Sequence, residues 1–150
     1  MLVYRLLELT LRDTLTGRYG ADETSSILRE AGTVAGAEFC RSVLDASLPL
    51  DDFLALLQRT LRQLSIGVLH IERSDPDTLE FVLTVAEDLG CSGLPVTGEM
   101  VCDYDEGFIA GVLHAYFRRE SVAREVDCRA SGGRICRFAV RPLTAELVTA

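Results

Sequence analysis

Four residues in the last third of the chain, Cys102, Glu125, Cys128 and Cys136, stand in the pattern Cys-x22-Glu-x2-Cys-x7-Cys, which restricts how the rest can fold. Three thiolates and one carboxylate satisfy a tetrahedral zinc ion and leave no position for water, so the set reads as a closed, structural centre. One ion then requires three separate stretches of chain to meet at a point. Between Cys128 and Cys136, Gly132-Gly133 would turn a hairpin that brings two thiols together. Cys102 stands just before a helical pattern, where the peptide dipole favours a thiolate. Glu125 sets a condition: residues three apart on an unbroken strand face opposite sides, so Glu125 and Cys128 share an ion only at a bulge or a strand end. Alternatives stay open. An exposed carboxylate is the plain reading of Glu125, and Cys91, in the loop before Cys102, competes with it as fourth ligand. Buried cysteines also pack as small hydrophobes, the role assigned to Cys40 after Phe39.

The hydrophobic period changes once along the chain. Leu2, Leu6, Leu9 and Thr10 repeat at helical spacing in a first helix from Leu2 to Leu15, with Gly17 and Gly20 as its stop. A second helix, capped by Asp22 or Thr24, runs toward Val43 with Ile27, Ala31, Val34 and Glu38 along one face. Gly32 and Gly36, four apart, would let another helix approach closely. A third runs from Pro49 to Leu64, where Phe53, Leu56, Leu57, Thr60, Leu61 and Leu64 form a broad apolar stripe. From there the pattern alternates. Ile66–Ile71 and Leu79–Val85 form a hairpin about the Asp-Pro turn at Ser74–Thr78. A loop with Gly90, Gly93, Pro95 and Gly98 leads to a helix opened by an Asp103/Glu106 capping box and running to Arg119. A second hairpin, Val122–Cys128 and Ile135–Arg141, completes an α+β domain: an antiparallel sheet of two β-hairpins packed on one face by the N-terminal helices and by the helix inserted between the hairpins. In this arrangement a metal would tie the last helix to the terminal hairpin.

At 150 residues the chain fits one domain, 1–150, able to bury a core without disulfides. An odd number of cysteines and no apolar run long enough to span a bilayer point to a reducing, soluble setting, with the cytoplasm as default. The formal net charge is −8 and all 15 basic residues are arginine. Excess acid repels phosphate, which argues against direct nucleic-acid binding. Without lysine there is no Schiff-base chemistry and no Walker-type phosphate lysine.

The stretch from Leu94-Pro-Val-Thr-Gly-Glu-Met-Val-Cys102 through Gly107-Phe-Ile-Ala-Gly111 to Glu125-Val-Asp-Cys128-Arg-Ala-Ser-Gly132-Gly-Arg-Ile-Cys136 resembles the 4-vinyl reductase domain family. It is similar to the sensor domains of phenol-responsive activators, in which three cysteines and a glutamate at the same gaps hold structural zinc. The resemblance implies that role for Cys102, Glu125, Cys128 and Cys136. It also implies a hydrophobic pocket between helices and sheet, for which Phe53, Leu57, Phe81, Leu83, Phe108, Gly111, Val112 and Tyr116 are the candidate lining. Gly107, Gly111 and His114 share one helix face, where the glycines clear space for a ligand or for another helix. The phenol sensors use a tryptophan and a histidine; this chain has no tryptophan, and Phe81 at the corresponding distance from Cys102 offers a ring without an N–H donor. A more apolar ligand fits that change. His70 is expected on the sheet face opposite Leu69.

Three function classes follow. The favoured one is a zinc-stabilised sensor or carrier domain for a small apolar aromatic, acyl or tetrapyrrole-type molecule, expected to be a homodimer that passes its signal to a separate output protein. The alternatives are an accessory protein or reductase in bacteriochlorophyll or tetrapyrrole synthesis, and an assembly adaptor of the kind found among Golgi-tethering subunits. A reductase needs a hydride source, and the chain shows no dinucleotide turn or flavin fingerprint.

Overall fold

The computed structural model describes residues 2–87, 102–127 and 135–144. Three helices come first, α1 (Leu2–Tyr19), α2 (Ala21–Val43) and α3 (Leu50–Gln63). Strands β1 (Val68–Asp75) and β2 (Glu80–Ala86) follow, then α4 (Asp103–Phe117), β3 (Ser121–Asp127) and β4 (Cys136–Pro142). The fold class is α+β.

Helix α1 continues past its expected end at Leu15. Nothing surrounds Gly17, and a single exposed glycine costs a helix only about 1 kcal/mol. Gly20, at φ 83°, breaks the chain instead, and it occupies the N-cap of α2, which has no side-chain cap. Asp22 and Thr24 therefore do not cap this helix. Thr24 is buried, and its hydroxyl donates to the carbonyl of Gly20 at 2.8 Å. The buried face of α2 is Thr24, Leu28, Gly32, Gly36 and Cys40, not the expected Ile27–Glu38 line, and Val34 is exposed. The glycines form this face because it is a contact surface of backbone rather than of side chains. Helix α3 follows its apolar stripe, burying Phe53, Leu54, Leu57, Thr60 and Leu61, while Leu64 at the C-cap is exposed.

The sheet has strand order β1-β2-β4-β3 with every neighbour antiparallel, so the two hairpins join through β2 and β4. At the first turn, the side chain of Asp75 accepts from the N–H groups of Asp77 and Thr78, both at 3.2 Å. These bonds hold its carboxyl below the usual range. The face bearing Leu69, Phe81, Leu83, Ala123 and Val140 packs with Cys40, Phe53, Leu57 and Val112 of the helices into one core. His70 is exposed and Leu69 buried, as alternation requires. The register slips between Glu125 and Asp127, so β3 carries a bulge there.

Helices α2 and α4 make the most extensive helix contact among the described residues. A Cβ added at Gly32 would strike the main chain of Tyr104, and one at Gly36 that of Phe108. Reciprocally, Gly107 meets the main chain of Arg29 and Gly111 that of Thr33. Four glycines thus let two backbones touch, as the pair in α2 led us to expect. Gly111, expected in a ligand pocket, is filled by this helix contact.

Candidate metal centre and apolar cavity

The candidate metal group assembles where three elements begin or end. Cys102 occupies the N-cap position of α4, Glu125 lies at the bulge of β3, and Cys136 opens β4. Their ligand atoms all lie within 4.8 Å of one another, and the three residues are buried. The sulfurs of Cys102 and Cys136 are 3.6 Å apart. Two thiolates bound to tetrahedral zinc at about 2.3 Å would stand about 3.8 Å apart, whereas a disulfide would require about 2 Å. The donor set and spacing therefore fit such an ion. The bulge supplies the kind of phase shift that the sequence required: Glu125 and Asp127 pair with the adjacent residues Phe138 and Arg137, so the alternation slips by one, and across such a slip residues three apart can share a face. Cys128 and Cys91 lie outside the described residues.

Expectation and structure part at the opening of α4. Asp103 and Glu106 form no capping box, because Cys102 is the N-cap and neither carboxylate turns back to it. Both are buried; Asp103 faces α1 and α2, and Glu106 faces α2 and β3. Asp103 accepts from Arg12 at 2.9 Å and Ser25 at 3.0 Å, and pairs with Arg29 at 2.7 Å. Glu106 pairs with the Nε of the same Arg29 and accepts the main-chain N–H of Glu125 at 2.7 Å. A spacing-based reading of Asp103 and Glu106 sees only a helix start, since Arg12, 91 residues from Asp103, and Arg29, 77 from Glu106, carry no local signature.

A second feature lies beside the centre: a partly open, largely apolar cavity of about 50 Å³ between α3, α4 and the sheet. Leu57, Phe81, Leu83, Phe108 and Val112, all expected in a pocket, line it. Leu54, Leu61, Leu69 and Ile109 join them, and Asp105 is the one charged side chain of the lining. The other expected residues stand elsewhere. Phe53 is fully buried and stacks on Tyr116 with ring centroids 4.2 Å apart, and the Tyr116 hydroxyl donates to the carbonyl of Leu48 at 2.8 Å. Leu54 and Ile109 escaped the sequence reading because a helical stripe does not say which of its members border a void. Cys40, assigned to core, is fully buried, and burial pushes its thiol pKa up, against weaker opposition from Arg118 and Arg41.

With this geometry in hand, the chain can be placed among known proteins. Residues 81–142 match the family model of the 4-vinyl reductase domain. That span contains every residue of the metal group and the strand and helix that carry most of the cavity wall. The resemblance to the 4-vinyl reductase family is thereby shown. Among curated proteins, the chain is 27% identical over 106 residues to the uncharacterized protein MJ0150 of Methanocaldococcus jannaschii, covering 71% of this chain and 60% of that one. It is 32% identical over 59 residues to the uncharacterized protein MJ1642 of the same organism, covering 39% of this chain and 37% of that protein. The chain thus spans less than two thirds of the length of these relatives.

Solved structures share the fold across nearly the whole chain. The phenol-responsive sensory domain of the transcription activator PoxR, solved with phenol, superposes with a TM-score of 0.69 at 17% identity, covering 92% of this chain and 73% of that one. A vinyl-4-reductase family protein from M. jannaschii gives a TM-score of 0.59 at 18% identity, covering 95% and 80%. A trafficking protein particle complex subunit 3 from Naegleria fowleri, covalently bound to palmitic acid, gives 0.64 at 14%, covering 93% and 95%. No helix among the described residues is long and apolar enough to cross a membrane.

Proposed function

We propose that this chain is a zinc-stapled domain that binds a small, mostly apolar molecule between α3, α4 and the sheet, without transforming it. The apolar cavity carries the reading: Leu57, Phe81, Leu83, Phe108 and Val112 surround space that close packing would otherwise fill. The phenol sensor and the palmitate-bound subunit, which share the fold, support a ligand at such a site. Size narrows the ligand. An engineered cavity that takes benzene measures about 150 Å³, so this one, at about 50 Å³, admits an aromatic ring only with side-chain movement at its open mouth. A slim acyl chain or a compact ring suits the space better than a tetrapyrrole macrocycle. Thermal melts against a panel of phenols, fatty acids and tetrapyrroles test this. Stabilisation by one of the first two classes is expected, and it should disappear in Val112→Phe, which fills the cavity. A response to no class would reject the reading.

In the same proposal, Cys102, Glu125, Cys128 and Cys136 hold the zinc. The ion would supply no chemistry beyond cross-linking, since four protein ligands complete its shell. Elemental analysis of reduced, dialysed protein is expected to give one zinc per chain, and a content near zero would reject it. Cys136→Ser is expected to lose the metal and most of the stability, because structural zinc contributes on the order of 10 kcal/mol of apparent binding energy. Loss of metal in Cys91→Ser but not in Glu125→Gln would transfer the fourth position to Cys91.

A further inference from the structure

We propose that Glu106 is the positioning residue of the metal centre, fixing the separation of Cys102 and Glu125, and that Arg29 fixes Glu106 in turn. The inference rests on the zinc reading above. One residue holds the main chain of both ligand residues. The N–H of Glu106 donates to the carbonyl of Cys102 at 3.0 Å, and its Oε1 accepts the N–H of Glu125 at 2.7 Å. The first bond belongs to the opening turn of α4, and the second joins that turn to the outer edge of β3, at the bulge where Glu125 reaches the ion site. A bulge loosens the ladder, so an added anchor beside it has a definite consequence for where Glu125 points.

The carboxylate is itself constrained. Its side chain is only 7% exposed, a costly place for charge, and its second oxygen pairs with Arg29 Nε while Arg124 stands at 3.6 Å. Arg29 also grips Asp103, the residue next to Cys102, at 2.7 Å. One guanidinium on α2 therefore holds two carboxylates of the α4 first turn in a fixed fork, which a lysine could not reproduce. Partners that orient ligands in this way are worth about 10–100-fold in metal affinity.

The test measures zinc release from the full chain into excess chelator, together with the absorption bands of the cobalt-substituted protein. Glu106→Ala is expected to speed release about 10–100-fold and to shift the cobalt bands. Glu106→Gln keeps an oxygen to accept from Glu125 and should stay close to the parent in both readouts. Phe53→Leu, a destabilising change in the core away from the centre, should lower the melting temperature without altering release or spectrum. Release from Glu106→Ala no faster than from Phe53→Leu would overturn the proposal, as would Glu106→Gln releasing as fast as Glu106→Ala. Should Glu106→Ala not fold, Arg29→Gln leaves the carboxylate but removes the guanidinium that fixes it, and parental release and spectrum in that variant would overturn the proposal equally. A parent that takes up neither zinc nor cobalt would reject the metal centre itself and the role of Glu106 with it.

Discussion

Glu8 on α1 shows how a single carboxylate can act against the fold. One of its oxygens is buried with no hydrogen-bond partner among the described residues, and burial raises its pKa, with Arg12 as the weaker opposing influence. Arg12 already donates to Asp103, so its charge is shared. The folded state then binds the Glu8 proton more tightly than the unfolded chain does. Stability from this group is fully present below the unfolded carboxylate pKa and is lost as pH rises through the raised folded value. Glu8→Gln is expected to raise the melting temperature at neutral pH, with the difference from the parent shrinking to nothing at acid pH. A gain that persists at acid pH would show that charge is not the cause. The pair Asp103 and Glu106 teaches a related lesson about sequence. Their identity and spacing were legible, but their role was not, because it depends on Arg12, Ser25 and Arg29 arriving from other helices. The meeting of Cys102, Glu125 and Cys136 was easier to anticipate, since soft donors at fixed gaps carry their chemistry in residue type.

Two glycine positions at the scale of elements should respond oppositely to one substitution. Gly17 lies within α1 in open surroundings, so Gly17→Ala removes backbone freedom from the unfolded chain and should stabilise by about 0.5–1 kcal/mol. Gly36 abuts the main chain of Phe108, so Gly36→Ala drives a methyl into rigid backbone and should cost about 3 kcal/mol, the upper end of ordinary overpacking. Gly111→Leu, against the main chain of Thr33, should cost at least as much. Urea denaturation decides all three, and a neutral Gly36→Ala would mean that the helices can separate. The element types, their order and the two hairpins were readable from the change of period. The buried face of α2 was not, because hydrophobic periodicity weighs side chains and gives no weight to a stripe made of their absence. The joining of the hairpins through β2 and β4 was also out of reach, since edge pairing between distant strands leaves no mark at short range.

For the whole molecule, the unresolved balance lies on α1. Its Val3 is 80% exposed, Leu7 63% and Leu6 57%, with Leu9 and Leu11 also among the exposed large hydrophobics. Among the described residues, the helix touches the body through α2 and the Arg12–Asp103 bond. Isolated exposed leucines are ordinary, but this many exposed large hydrophobics on one helix of 18 residues are of the kind that mark an interaction site. We expect a homodimer joined through α1, with Leu6 and Leu9 of each copy in the contact; the side chain of Leu2, the third residue expected there, lies outside the described residues. A two-fold pairing would present the same strip twice and leave no open end for further growth. It would also place two copies of the Arg12–Asp103–Arg29 cluster next to the shared surface, so that the metal centre and the dimer contact would bear on one helix pair. Sedimentation equilibrium at micromolar concentration is expected to give twice the chain mass for the parent. Val3→Glu combined with Leu6→Glu should give the monomer mass, with zinc content and helical circular dichroism unchanged, because both side chains face away from the core. A monomeric parent would reject the dimer, and a charge-substituted variant that remains dimeric would move the contact off α1, toward a part of the surface where Leu6 plays no role.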